Sequence, residues 1–438
     1  MRVALGQAPP RSGVAPSNAK RIGDGQENSD AGSIAPFDWR TTRGNASPMA
    51  VLKRLRALAW IASSVFVFPA CAGSSDDVKP RARVDRAGLP LTAASEEELQ
   101  LFREGDALFE ATVRESDGLG PLYVRDSCAA CHQGDGRGPG FVNKLAPTTA
   151  MSRVESDSLL PFGSTERPFV TANAKLALLT PDPEKLRSVR RLPPAVFGRG
   201  YIEAISESEI ERVAHLAGTR TGTARGRPNR LKTGKIGRFG IKARLATLDD
   251  FTADALNGDM GVTTPMRPRE PSGPEGLEDD GKPGIDFDAK RVARISDYVR
   301  LLEIPARKRQ DSDARALFDA VGCAACHVPS LHTEPRFRVA ALANIDAPIF
   351  SDLLLHDMGE ARSDGQYEED ARPSEFRTAP LIGVRFLSTL LHDGSAHNVV
   401  EAIEAHGASG SEGRDSLQRY KGLSPDERAG LVRFVEAL

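Results

Sequence analysis

The pentapeptide Cys-Ala-Ala-Cys-His occurs twice, at 128–132 and at 323–327. Cys-x-x-Cys-His is the attachment pattern of a c-type haem. The two thiols form thioethers with the haem vinyl groups, and the histidine that follows reaches the iron as its proximal ligand. Two residues between the thiols match the vinyl spacing, and the histidine comes at once because the ring is already anchored beside it. A zinc ribbon would need its Cys-x-x-Cys pairs close together, and these stand far apart, at 128 and 323. A redox dithiol leaves the histidine unexplained in both copies. The expectation is two covalent haem c groups, held by Cys128, Cys131 and His132 and by Cys323, Cys326 and His327.

The fifth cysteine belongs to different chemistry. Residues 1–48 are rich in Gly, Pro, Ser, Asn and Arg without an apolar period, and read as a disordered extension. Residues 49–70 carry a basic start, an apolar run of about a dozen residues and small residues at the break, the pattern of an export signal. The run is shorter than the roughly 20 residues that span a bilayer. Met49 stands where such a signal begins, so 1–48 reads as an over-extended gene start. Cys71 follows Ala70 as in a bacterial lipobox, with an ordinary cleavage site as the alternative. The expected location is the bacterial cell envelope: periplasmic, with membrane anchoring if Cys71 carries a lipid. Residues 71–94 read as a linker. Trp39 and Trp60, the two tryptophans, then fall outside the working protein.

The two haem motifs need helices to hold them. With 438 residues the chain is long enough for two or three domains. Its 58 basic and 60 acidic residues nearly cancel, which excludes the basic field a nucleic-acid binder requires. Thirty prolines and forty glycines point to many loops. Ser95 and Glu98 form a capping box that opens a helix through Leu101, Phe102, Leu108 and Phe109. The stretch 313–322 predicts a helix leading into the second motif. Ser424 and Glu427 open a terminal helix whose apolar face is Leu431, Val432, Phe434, Val435 and Leu438. A helix before the motif packed on a later helix is the cytochrome c layout, and in the first half 293–302 is the candidate partner. The fold expected is mainly α: two cytochrome c-like domains with long irregular loops, at 95–305 and 306–438. The linker is placed near 303–312, and solvated insertions are expected at 267–284 and 362–374.

Six further stretches carry a resemblance. They are Leu-Pro-Pro-Ala-Val-Phe-Gly at 192–198, Gly-Arg-Phe-Gly at 237–240 and Asn-Gly-Asp-Met-Gly-Val-Thr at 257–263. The others are Asp-Leu-Leu-Leu-His-Asp-Met-Gly at 352–359, Phe-Arg-Thr-Ala-Pro-Leu at 376–381 and Leu-His-Asp-Gly at 391–394. In this order they resemble the di-haem oxidoreductase family, also labelled thiol oxidoreductases. The chain is more distantly similar to bacterial di-haem cytochrome c peroxidases and MauG-type enzymes. The thiol label adds little, because haem uses both cysteine pairs.

The resemblance implies sixth ligands. The second haem's distal ligand would follow the His-Asp-Gly turn, which places His406 there, with Met358 and His356 competing; His356 reads better as a hydrogen-bonder near that haem. Asp259 resembles the distal acid–base group of the peroxidases, one methylene shorter. Met260 is the alternative, closing the first iron as a thioether ligand. The glutamine that those peroxidases carry in the helix before this segment has no counterpart in 248–251. His215, His332 and His397 read as surface histidines. Arg238, Lys242 and Arg377 are candidates to pair with haem carboxylates, and Tyr123 and Tyr298 are candidate electron stations.

The function implied is reduction of hydrogen peroxide at the first haem, with electrons passed through the second from a small redox donor, such as a periplasmic cytochrome or quinol system. The rivals are a pure electron-transfer cytochrome, favoured by a Met260–iron bond, and a MauG- or oxygenase-like enzyme acting on another protein. A haem-bearing interaction protein without turnover is a weaker alternative.

Overall fold

In the computed structural model the capping boxes become helix starts. Ser95 Oγ accepts from Glu98 N and Glu98 Oε2 from Ser95 N, and the same exchange links Ser152 with Glu155 and Ser424 with Glu427. Each exchange satisfies two backbone donors that a helix start leaves open. The structure describes residues 87–136, 140–160, 163–172, 182–219, 224–271, 284–308 and 311–438. Among these the helices are α1 (Glu96–Glu110), α2 (Arg153–Leu159), α3 (Arg199–Ala204), α4 (Glu207–Thr219), α5 (Leu248–Met260), α6 (Ala289–Leu301), α7 (Ser312–Ala320), α8 (Val399–Ala405), α9 (Arg414–Lys421) and α10 (Pro425–Glu436). The fold is mainly helical. Among the described residues, no helix is long and apolar enough to cross a membrane. The export signal and Cys71 lie outside the described residues.

The strands are short and pair antiparallel, two by two. β1 (Leu122–Tyr123) pairs with β3 (Phe169–Val170), and β2 (Val142–Pro147) with β4 (Leu186–Arg191). β5 (Leu331–His332) pairs with β6 (Asp346–Ala347), and β7 (Leu355–Asp357) with β8 (Glu375–Arg377). The last ribbon sets His356 opposite Phe376 and Leu355 opposite Arg377.

α1 packs across α6, the partner expected from the sequence, and the crossing is tight at Gly105. A Cβ there would stand 2.2 Å from the Arg294 carbonyl oxygen. On either side of the crossing, Phe102 and Phe109 enclose Tyr298, with ring centroids 4.9 and 5.1 Å from it. In the second half α7 packs on α10 through Phe318 and Phe434, whose centroids are 5.3 Å apart. Two principal apolar cores result. The first is built around α1 and α3–α6 and also takes Leu331, Val339, Leu342, Leu353 and Leu354 from the second half; the other is built around α7–α10. The described part of the expected linker is packed rather than loose, with Ile304 buried and Glu303 accepting hydrogen bonds from Thr92.

One loop departs from expectation. The segment 362–374 is not a solvated insertion: Asp364, Gln366 and Ala371 are buried. Two of its acidic residues are drawn inward by cations from distant elements. Asp364 pairs with Arg191 and Lys242, and Glu368 with Arg191 and Arg244, which also holds Asp254. Buried charges of one sign require charges of the other, so a loop that reads as hydrophilic is held inside. Most of the other long loop, 272–283, lies outside the described residues.

Candidate functional site

Both Cys-x-x-Cys-His segments take the same local turn. His132 N donates to Cys128 O at 3.0 Å and His327 N to Cys323 O at 2.9 Å, so each histidine stays within one turn of its first cysteine. α7 feeds the second turn through Gly322, whose φ of +88° is a left-handed conformation suited to glycine. The four cysteines form no disulfide. Burial pushes the thiols of Cys128 and Cys323 up to about 12 and that of Cys131 up to about 11. Reactive dithiols sit in electropositive, partly exposed surroundings that lower the thiol pKa. Here Cys131 is buried, Cys128 and Cys323 are half-buried, and all three thiols are shifted upward, which argues against thiol redox chemistry.

The second segment lines an apolar cavity of about 290 Å³, together with His356, Met358, Phe376, Arg377, His392, His406 and Glu412. Across it the rings of His327 and His406 lie with centroids 6.4 Å apart. His327 Nδ1 donates to the Phe350 carbonyl at 3.1 Å, and His406 Nδ1 to the Ala402 carbonyl at 2.7 Å. A carbonyl only accepts, so both Nδ1 atoms carry the proton and Nε2 is left as the ligating nitrogen. Phe350 holds its carbonyl in place from a φ of +50°, strained for an aromatic residue, between the rings of Phe318 and Phe434. Gly413 leaves the room His406 needs, since a Cβ there would stand 2.9 Å from His406 Cβ. Burial pulls the His327 pKa down to about 4, reinforced by His406, and also lowers that of His406. Both imidazoles are therefore neutral at pH 7, the form that binds metal.

His356 is built differently. Its Nε2 meets Asp352 Oδ2 at 2.9 Å and its Nδ1 meets Glu412 Oε2 at 2.7 Å. Burial opposes its charge, but Asp352 and the other neighbours raise its pKa well above the usual value. With a carboxylate on each nitrogen it stands beside the Cys326 sulfur as an imidazolium, not as a ligand. Met358 lines the same cavity as His406.

The first segment lines a tighter cavity of about 90 Å³ with Phe109, Arg125, Arg199, Phe251, Asp259, Met260 and Arg377. His132 Nδ1 is buried without a hydrogen bond of normal geometry, although the Pro194 backbone lies close enough to favour its charged form. Burial, aided by Arg199, nonetheless lowers its pKa to about 4. Asp259 and Met260 end α5, and Val124 N fixes the turn by donating to the Asp259 carbonyl at 2.6 Å. Burial raises the Asp259 carboxyl pKa; Asp254 adds to the rise, and Lys144, Arg167 and Arg244 oppose it. Among the described residues, no second imidazole lines this cavity to oppose His132 as His406 opposes His327.

Other candidates fall into place. His215, His332 and His397 are exposed. Lys242 is buried, donating to the Arg372, Pro373 and Glu375 carbonyls, and Arg238 donates to the Glu203 and Ile205 carbonyls. Neither lines either of these two cavities, whereas Arg377 lines both. Tyr298 packs against Phe109, and Tyr123 against Phe169. The wall common to both cavities is Pro194, Ala195, Arg199 and Arg377. Sequence reasoning passed over His392, which stacks at 4.1 Å on Phe376 while Lys242 lies over that ring, 4.0 Å from its centroid. Only its place in the Leu-His-Asp-Gly stretch could have drawn attention to it.

The donors fit haem. A metal–imidazole bond is about 2 Å long, so two axial rings on one ion place their centroids roughly 6 Å apart once the ring radii are added. The 6.4 Å between His327 and His406 matches that span, in an apolar cavity bordered by two cysteines. In the first cavity His132, its imidazole held neutral by burial, stands beside two more cysteines. A mainly helical chain with two such sites belongs to the class of di-haem redox proteins. A family model described as "Di-haem oxidoreductase, putative peroxidase" matches residues 171–438, and the chain belongs to that family. The match begins after the first Cys-x-x-Cys-His segment. No curated protein matches the chain. Solved structures similar to it include the following two. Kuenenia stuttgartiensis hydrazine synthase, pressurised with 20 bar xenon, is 15% identical with a TM-score of 0.36, covering 86% of this chain and 100% of that one. A MauG-like protein associated with microbial copper homeostasis is 17% identical with a TM-score of 0.38, covering 84% and 95%.

Proposed function

We propose that this chain is a di-haem c peroxidase that reduces hydrogen peroxide at the first site and receives electrons through the second. The observation that carries the reading is the asymmetry of the two cavities. Two neutral imidazoles, His327 and His406, oppose each other in one, whereas a carboxyl, Asp259, shares the other with His132. Bound haem supplies one-electron redox chemistry and, where no sixth side chain reaches it, an open coordination position.

Cys128 and Cys131, and likewise Cys323 and Cys326, hold the groups as thioethers, with His132 and His327 as proximal ligands. His406 closes the second site, which suits it to electron transfer. Asp259 holds the proton that peroxide reduction moves from one peroxide oxygen to the other, and its raised pKa keeps that proton closer to working pH. Each half is read as a cytochrome c-like domain. The protein is exported to the cell envelope, anchored if Cys71 carries a lipid, and fed by a small redox donor such as a cytochrome or quinol system.

A second reading rests on Met260, which lines the first cavity beside Asp259. A thioether from Met260 on the first iron would make the protein an electron carrier. EPR of the haem-loaded protein, diferric and half-reduced, separates the two readings. A high-spin ferric signal in either state supports the peroxidase, and low-spin signals alone in both states overturn it in favour of the carrier.

A further inference from the structure

Arg377 has no part in the chemistry just proposed, yet it lines both cavities. It ends β8, and its guanidinium is fixed by two backbone acceptors: Nε donates to the Gly240 carbonyl at 3.1 Å and Nη1 to the Thr378 carbonyl at 2.9 Å. The residue is buried. Among the described residues, no carboxylate accepts a hydrogen bond from it. The acid that acts on its charge is Asp352, whose oxygens are already engaged by His356 Nε2 and Leu354 N. The rest of the wall between the cavities supplies no acid either: Pro194 and Ala195 are apolar, and Arg199 is a second cation, whose Nε donates to the Ala195 carbonyl.

A guanidinium has five N–H donors, and the two carbonyls use two of them. A buried cation without a contacting anion is costly to maintain, and burial pulls the Arg377 pKa down to about 10. The missing anion must therefore come from whatever fills the cavities. Haem carries two carboxylates of its own, and planar, forked N–H donors suit a carboxylate.

We propose that Arg377 is a positioning residue that binds a haem carboxylate in the wall between the two cavities, and that its fixed charge raises the reduction potential of both haems. The inference rests on the two-haem reading above. Adding an electron to an iron beside a fixed cation is favoured, and in a low-dielectric interior the effect reaches past contact distance. One residue thus biases both centres together.

The test is spectroelectrochemical titration of the haem-loaded full chain, preceded by haem counting through the pyridine haemochrome. Arg377→Gln and Arg377→Met remove the charge, and Arg377→Lys keeps it. Met serves as a second neutral variant because an apolar side chain in place of a buried charge is often neutral for folding. The expected result is two haems per chain throughout, both midpoint potentials lowered in the neutral variants, and both near the parent's in Arg377→Lys. A neutral variant that carries two haems with one or neither potential lowered overturns the proposal, as does a lysine variant that falls as far as the neutral ones. Fewer than two haems on the parent protein overturns the two-haem reading and this inference with it, and the haem count distinguishes that failure from the other.

Discussion

His327 and His406 face each other across one cavity, ring centroids 6.4 Å apart and planes at 57°, each with its Nδ1 proton committed to a backbone carbonyl. Methionine in place of one axial histidine raises a haem's potential. His406→Met should therefore raise the potential of the second haem and leave the first near its parent value, read by potentiometric titration. His406→Ala should convert that haem's low-spin ferric EPR signal to a high-spin one. An unchanged spectrum in His406→Ala would remove His406 from the iron.

Asp259 lies in the cavity of His132 with its carboxyl pKa raised by burial. A positioned acid–base group contributes about 10²–10⁴-fold to a proton-transfer rate, so Asp259→Asn should lower peroxide turnover by about that factor. Stability should move the other way. Folding favours the protonated form of a carboxyl whose pKa it raises. The resulting stabilisation is fully present below the unfolded value near 3.8 and is lost as pH climbs through the raised folded value. At pH 7 the buried carboxylate is a cost, and Asp259→Asn should unfold at higher denaturant than the parent. Below pH 4 the difference should vanish.

The helices around both haem motifs were legible because their signals are local. Ser95 and Glu98, or Ser424 and Glu427, stand three residues apart and announce a helix start whatever the rest of the chain does. The two Cys-x-x-Cys-His segments are equally local. His406 and Asp259 became candidates only through the order of family stretches, since one histidine or aspartate in a sequence has no partner in view. The Asp364 and Glu368 network escaped altogether. Its cations come from Arg191, Lys242 and Arg244, more than a hundred residues away, so 362–374 reads as an ordinary polar loop until the fold supplies them. The shared position of Arg377 was hidden for the same reason: a wall between two cavities exists only in three dimensions.

That buried network makes a stability prediction. Asp364 contacts both Arg191 and Lys242, and all three side chains are almost wholly buried. Arg191 keeps Glu368, but removing Asp364 leaves the buried Lys242 without its carboxylate, a loss of about 3–5 kcal/mol. Asp364→Ala should lower the denaturant midpoint accordingly, measured by circular dichroism on the haem-loaded protein. Glu96→Ala, which breaks the exposed Arg103–Glu96 pair, should cost about 1 kcal/mol or less. Equal losses in the two variants would contradict the buried-network account.

Gly105 sets the closest approach of α1 to α6. A methyl group there would stand 2.2 Å from the Arg294 carbonyl oxygen and 2.6 Å from Tyr298 Cβ, a collision that backbone must relieve by moving. Inserting one methyl into a packed interface costs about 1–3 kcal/mol, against which alanine's better helix propensity offers only about 1 kcal/mol in return. Gly105→Ala should therefore destabilise the protein in denaturant melts. Because Phe109 lies between Tyr298 and His132, with its ring centroid 6.1 Å from the imidazole, the displaced helix should also perturb the first haem's Soret band. The second haem, whose cavity is lined from α8, α9 and α10, should keep its spectrum. A parent-like melt would mean that the crossing is looser than the 2.2 Å approach implies.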